Sequence, residues 1–149
     1  MEQKIRKLKS MFVDGPVSPE FIATSIQKHS SKTDIGAHQI FLGQIRADEI
    51  EGKKVKAIEF TTYNSMADEV YSEFRETLFE KYDITCMHVH HSLGTVNAGE
   101  INLFVFISSK HRNAATEACK EMVEFIKNKI PVWGKEVFEN DEYVWKKNT

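Results

Sequence analysis

Cysteine is scarce in this sequence: Cys86 and Cys119 are the only two among 149 residues, far apart and without CxxC spacing. That excludes a disulfide framework and makes a reducing compartment the expectation. Long hydrophobic runs are missing too. No stretch approaches the roughly 20 apolar residues that cross a bilayer, and charges interrupt the N-terminal region where a signal peptide needs its apolar centre. No membrane partner is expected, and the cytoplasm is the expected location. Neither sign of charge dominates. A net charge of −2 excludes a globally basic nucleic-acid binder, so an anion site has to be a local cluster. Internal repeats, low-complexity tracts and Pro/Gly/Ser-rich linkers are also absent, so residues 1–149 read as one domain.

What is present is a sequence of short periodic segments. Residues 5–13 read as a strand, closed by the turn signal Asp14-Gly15-Pro16. Ser18 reads as an N-cap ahead of Pro19, with Phe21, Ile22, Ser25, Ile26 and His29 forming one face of a short helix. Residues 36–46 form a strand with the apolar centre Ile40-Phe41-Leu42. The polar run 47–54 reads as a mobile loop, and 55–63 as a returning strand that alternates Val55 and Ala57 with Lys56 and Ile58. A helix capped by Asn64 or Ser65 carries the stripe Met66, Val70, Phe74, Leu78. Strands over 84–93 and 100–109 are joined by a hairpin-like connection at 94–99. A long helix over 111–129 turns Ala115, Ala118, Cys119, Met122 and Ile126 inward; Pro131 stops it, and 132–138 is extended. The order β-α-β-β-α-β-β-α-β predicts an α+β fold, a mixed or antiparallel sheet with about three helices.

Three segments could carry chemistry. Ser108-Ser109-Lys110-His111-Arg112-Asn113 lies at a strand-to-helix junction. It is either a solvated basic turn capped by Ser109 or, with free N–H groups and three cationic side chains, an anion site. Lys127 falls on the flank of the long helix's apolar stripe, beside Val123 and Ile130. A lysine there either snorkels to solvent or serves as a half-buried base with a movable pKa. Phe41-Leu42-Gly43-Gln44-Ile45-Arg46 is a strand that ends in an arginine before a loop, and Gly43 permits a bulge or close backbone approach. Cys86, His88 and His90 alternate onto one strand face, but the sequence offers no further ligand at recognisable spacing, so no metal is expected. Neither cysteine suits a nucleophile, since Cys119 belongs to a helix core stripe.

Taken together, three motifs resemble the large, catalytic subunit of molybdopterin synthase. They are Phe41-Leu42-Gly43-Gln44-Ile45-Arg46, then His91-Ser92-Leu93-Gly94 with Gly99-Glu100, then Ser109-Lys110-His111-Arg112 leading to Lys127 and Pro131-Val132-Trp133-Gly134-Lys135-Glu136. The resemblance implies a sulfurtransferase. Its sulfur donor would be the C-terminal Gly-Gly thiocarboxylate of a small ubiquitin-like subunit, and its acceptor cyclic pyranopterin monophosphate. Two transfers would give the dithiolene, with no cofactor and no resident metal. The implied substrate-binding residues are Gln44, Ile45, Arg46, His111, Arg112, Lys127, Gly134, Lys135 and Glu136, with Lys127 catalytic. A homodimer at the core of a heterotetramer is implied as well. The chain departs from the pattern at Gly134, where the family usually has a basic residue after the tryptophan, and at Ser92, where an arginine is common. A non-catalytic relative with the same anion pocket is the alternative that Gly134 raises.

Overall fold

The computed structural model describes residues 10–146. In chain order these form β1 (Phe12–Asp14), α1 (Pro19–Lys28), β2 (Ala37–Gln44), β3 (Glu49–Ile50), β4 (Lys53–Thr62), α2 (Asn64–Lys81), β5 (Ile84–Asn97), β6 (Ile101–Ser109), α3 (Arg112–Lys129), β7 (Val132–Phe138) and β8 (Tyr143–Trp145). The fold is α+β. The sheet runs β2-β6-β5-β4-β7-β8, antiparallel along that path, with β1 added in parallel to β5 and β3 paired to β4.

The centre of the sheet follows from β6, where every residue after Ile101 is buried. A strand buried on both faces needs a layer on each side. Leu103, Val105 and Ile107 meet Met87 and Val89 of β5, Ala67, Tyr71 and Leu78 of α2, and the whole expected inward stripe of α3. On the opposite face Phe104 and Phe106 pack against Ile22 of α1 and against Val17. A third cluster, Ile45, Ile58, Phe60 and Val96, fills the far end under β4 and β7. Strand β5 joins these parts. Residues 84–91 pair with β6, residues 94–97 pair with β4, and Gly94 at the changeover has φ +81°, a region glycine enters at little cost.

Several local expectations need correction. The described part of the first strand is only Phe12–Asp14; positions 5–9 of the expected strand lie outside the described residues. The loop expected at 47–54 is a β3–β4 hairpin turning at Glu51 and Gly52. A bulge between Val55 and Ala57 breaks the expected alternation, so Ala57, Ile58 and Phe60 are all buried. The connection expected at 94–99 belongs mostly to β5, which continues to Asn97 because β4 offers it a second partner. Helix α2 has Tyr63 at its N-cap with no side-chain cap, and it buries Ala67, Tyr71 and Leu78 while Met66 stays exposed. Strand β8 was not expected at all.

Candidate functional site at the C-terminal end of α3

Helix α3 presents cations at both ends, and the two ends differ in kind. At its start, the chain before β2 lies against the β6–α3 junction. The Gly36 N–H donates to Ser109 O at 3.0 Å, and a Cβ on Gly36 would stand 2.1 Å from Lys110 O, so only glycine fits. His111 occupies the N-cap without a side-chain cap bond. The expected cap, Ser109, instead accepts from Ala115 N at 3.2 Å and donates its hydroxyl to His111 O. Lys110, His111 and Arg112 stand exposed there beside the positive end of the helix dipole.

At the other end, Lys127 lies in the last turn of α3. Much of the side chain meets solvent, yet burial around the ammonium group is the largest influence on it and lowers its pKa. The like charges of Lys146 and Arg46 act in the same sense. Arg46 extends from the end of β2, just past the Gly43/Gln44 bulge. Buried Ile45 pins the backbone there, its N–H donating to Glu100 O at 3.0 Å. The guanidinium is exposed and makes a 3.3 Å ion pair with Asp48. Beneath the site, His91 is buried and its Nδ1–H donates to Ser92 O at 2.8 Å. Burial first, then the charge of Lys127, pushes this imidazole down to about 4, against the pull of its backbone hydrogen bond.

Strands β7 and β8 complete this end. Lys146 N donates to Gly134 O at 2.8 Å, and a Cβ built on Gly134 would lie 3.6 Å from Lys146 Cβ. Lys135 faces the other way, in a 3.6 Å ion pair with Glu59 and over the Tyr143 ring at 4.5 Å. Glu136 is buried opposite Ile58. Of the residues singled out from the sequence, Arg46 and Lys127 are thus brought together, with Ile45 and Gly134 as supporting backbone. His111 and Arg112 are not brought to them. Arg112 precedes Lys127 by 15 positions on one helix, about 22 Å along its axis. The sequence reading missed Lys146, whose place depends on β8 pairing with β7.

Both cysteines are buried, and burial pushes the Cys119 thiol up to about 11, which suits a core residue and not a nucleophile. Cys86 and His88 do share a strand face, as the alternation requires, and α1 adds a third donor to them, His29.

Comparison with known proteins gives a consistent result. The family model described as MoaE protein matches residues 16–129. The molybdopterin synthase catalytic subunit of Pyrococcus abyssi is 34% identical over 113 residues, 76% of each chain. The crystal structure of molybdopterin synthase from Staphylococcus aureus superposes with a TM-score of 0.79 at 26% identity, covering 93% of this chain and 96% of that one. A Helicobacter pylori complex of subunits 1 and 2 of molybdopterin-converting factor shares the fold, with a TM-score of 0.78 at 18% identity over 91% of this chain and 88% of that one.

Proposed function

The chain belongs to the MoaE family of molybdopterin synthase catalytic subunits, which are sulfurtransferases, and on that basis we propose that the pocket around Lys127 receives cyclic pyranopterin monophosphate. The observation that carries this reading is the convergence of Lys127, Arg46 and Lys146 at one end of the sheet, where burial and the two like charges lower the pKa of Lys127. A lysine in that state gives up and takes back a proton more readily than a solvated one, which general acid–base chemistry requires.

The sulfur donor is the C-terminal thiocarboxylate of a small ubiquitin-like subunit whose Gly-Gly tail enters the same pocket. A donor supplied by a partner accounts for a site with no accessible cysteine in it. Tail and substrate are both anionic, so fixed cations must offset their repulsion before the sulfur can approach carbon. Arg46 and Lys146 do this, and Lys127 stabilises the charge that develops on the acyl oxygen as the tail is released. Gln44, Ile45, Gly134 and Glu136 shape the walls of the pocket. The Helicobacter pylori complex supports a large-plus-small subunit arrangement. Here two copies of this chain form the core, each carrying a small subunit, so that His111 and Arg112 of one copy complete the pocket of the other. The whole of residues 1–149 acts as one domain, and two free buried cysteines suit the reducing cytoplasm.

The test is Lys127→Ala, assayed in single turnover with thiocarboxylated small subunit and cyclic pyranopterin monophosphate. A fall of at least about 100-fold is expected for loss of a positioned proton-transfer group, with the melting temperature nearly unchanged. Turnover within a few-fold of wild type would overturn the assignment.

A further inference from the structure

The face of the sheet opposite α3 carries a group of side chains that sulfur transfer does not use. His29, at the C-cap of α1, and Cys86 and His88, two residues apart on β5, place one donor atom each within 4.8 Å of the others. His29 and Cys86 are buried and His88 is half-buried. The imidazole of His29 is already oriented. Its Nδ1–H donates to Ser25 O at 2.7 Å, which leaves Nε2 as a lone pair, and that lone pair faces His88 Nε2 at 3.0 Å. A backbone carbonyl on the far nitrogen is the usual way a metal-binding histidine is held in one tautomer. Phe106 walls the cluster, with the His29 ring 4.8 Å away and edge-on.

We propose that His29, Cys86 and His88 form a binding site for a borderline-soft metal ion of the zinc class, with its fourth position left to water or an external ligand. Two imidazoles and a thiolate are a donor set that zinc accepts in tetrahedral geometry. With metal–donor bonds of about 2.0–2.3 Å, tetrahedral donors stand about 3.4–3.6 Å apart. The two facing nitrogens therefore need to open by only a few tenths of an ångström. Lys32 Nζ now donates to Cys86 Sγ at 3.0 Å; its exposed side chain can swing into solvent when the sulfur takes a metal. Binding releases the Cys86 thiol proton, and the proton now between the two Nε2 atoms moves to the outer nitrogen of His88. The ion would clasp α1 to β5, supplementing the small apolar contact of Ile22 and Val17 with Phe104 and Phe106. Lys127 lies on α3, across the sheet, so the clasp is separate from the sulfur-transfer pocket.

Cobalt(II) is the probe, titrated into reduced, untagged full-length protein. One equivalent should bind with a thiolate-to-cobalt charge-transfer band and visible bands of tetrahedral intensity, both removed by added zinc. Cys86→Ser should lose the charge-transfer band. His88→Gln should weaken binding at least 10-fold, and Cys119→Ser should change nothing. Zinc should also raise the melting temperature of wild type and not that of His88→Gln. Absence of a sulfur band in wild-type protein overturns the proposal even if a buried-site variant does not fold. Persistence of the band in folded Cys86→Ser overturns it equally.

Discussion

Gly134 stands where the resemblance implies a basic residue, and the residue beside it is Lys146. Its backbone bonds to Gly134 O, its side chain starts on the same face, and its charge reaches Lys127. Lys135 is committed to Glu59 and Tyr143 on the other face. Lys146→Ala should therefore reduce kcat/KM by about 10-fold, the value of one lost charge-assisted contact. It should also move the Lys127 limb of the pH–rate profile to higher pH, because a like charge has gone. Lys135→Ala should leave both within two-fold; the reverse ranking would show that Lys135 faces the pocket after all. Helical periodicity alone places Lys127 on the flank of α3. No local pattern places Lys146, because only the pairing of β8 with β7 brings it to Gly134. His91 gives a second residue-scale prediction. In the unfolded chain its ring titrates near 6.5, whereas burial, and then the charge of Lys127, hold the folded ring neutral down to about 4 against the upward pull of the Ser92 carbonyl. Between those values the unfolded state binds more protons. The stability that His91 contributes is thus complete above pH 6.5 and is lost as pH falls toward 4, about 3 kcal/mol in all. Urea unfolding between pH 4.5 and 7 should show a shallower pH slope for His91→Phe than for wild type. Parallel curves would mean that His91 titrates normally.

The elements differ in how much of them the sequence discloses. In α3 the five inward residues recur at helical spacing and are the five that are buried. In α2 the stripe Met66, Val70, Phe74, Leu78 advances four residues at each step and so drifts around the helix by about 40° each time. Val70, Phe74 and Leu78 of that stripe do pack on the core, but the buried positions include Ala67 and Tyr71, where a small residue and a tyrosine hide the signal. Strand β5 misleads in another way. Gly94 reads as a turn, but a bend in a strand that changes partners needs the same backbone freedom. The third donor beside Cys86 and His88 was unreadable, since His29 lies in a different element. The β3–β4 hairpin allows a stability prediction. Its two turn residues, Glu51 and Gly52, have φ of 51° and 77°, as a type I′ turn demands. Glutamate is poorly suited to that region and asparagine well suited, so Glu51→Asn should stabilise the protein by about 0.5–1 kcal/mol. Denaturant midpoints at constant m-value measure this directly; a lower midpoint would argue against the turn type.

For the whole molecule, the chief consequence of the geometry is that α3 is too long for one chain to close the pocket with both of its ends. If Arg112 and Lys127 serve the same substrate, they come from two copies related by a two-fold axis, because an isologous contact generates two equivalent composite sites. Lys127→Ala and Arg112→Ala proteins, each inactive alone, should then regain activity when mixed under conditions of subunit exchange. A mixed dimer holds one intact pocket and one doubly damaged one, so recovery should approach a quarter of the wild-type rate in a statistical mixture. Proven exchange without recovery would assign both residues to one chain's site or remove Arg112 from it.

The parallel pairing of β1 with β5 has a consequence in time. Phe12 is matched with His91, and Val17 bridges to Ile101, so the first strand and the stretch leading into α1 dock onto segments synthesised far later. A ribosome adding about 5–20 residues per second needs roughly 4–16 s to make the intervening 80 or so. The β5–β6 hairpin, by contrast, can close within microseconds of emerging. Throughout that interval Ile22 of α1 has no Phe104 or Phe106 to cover, so the first strand and helix are made early but dock late.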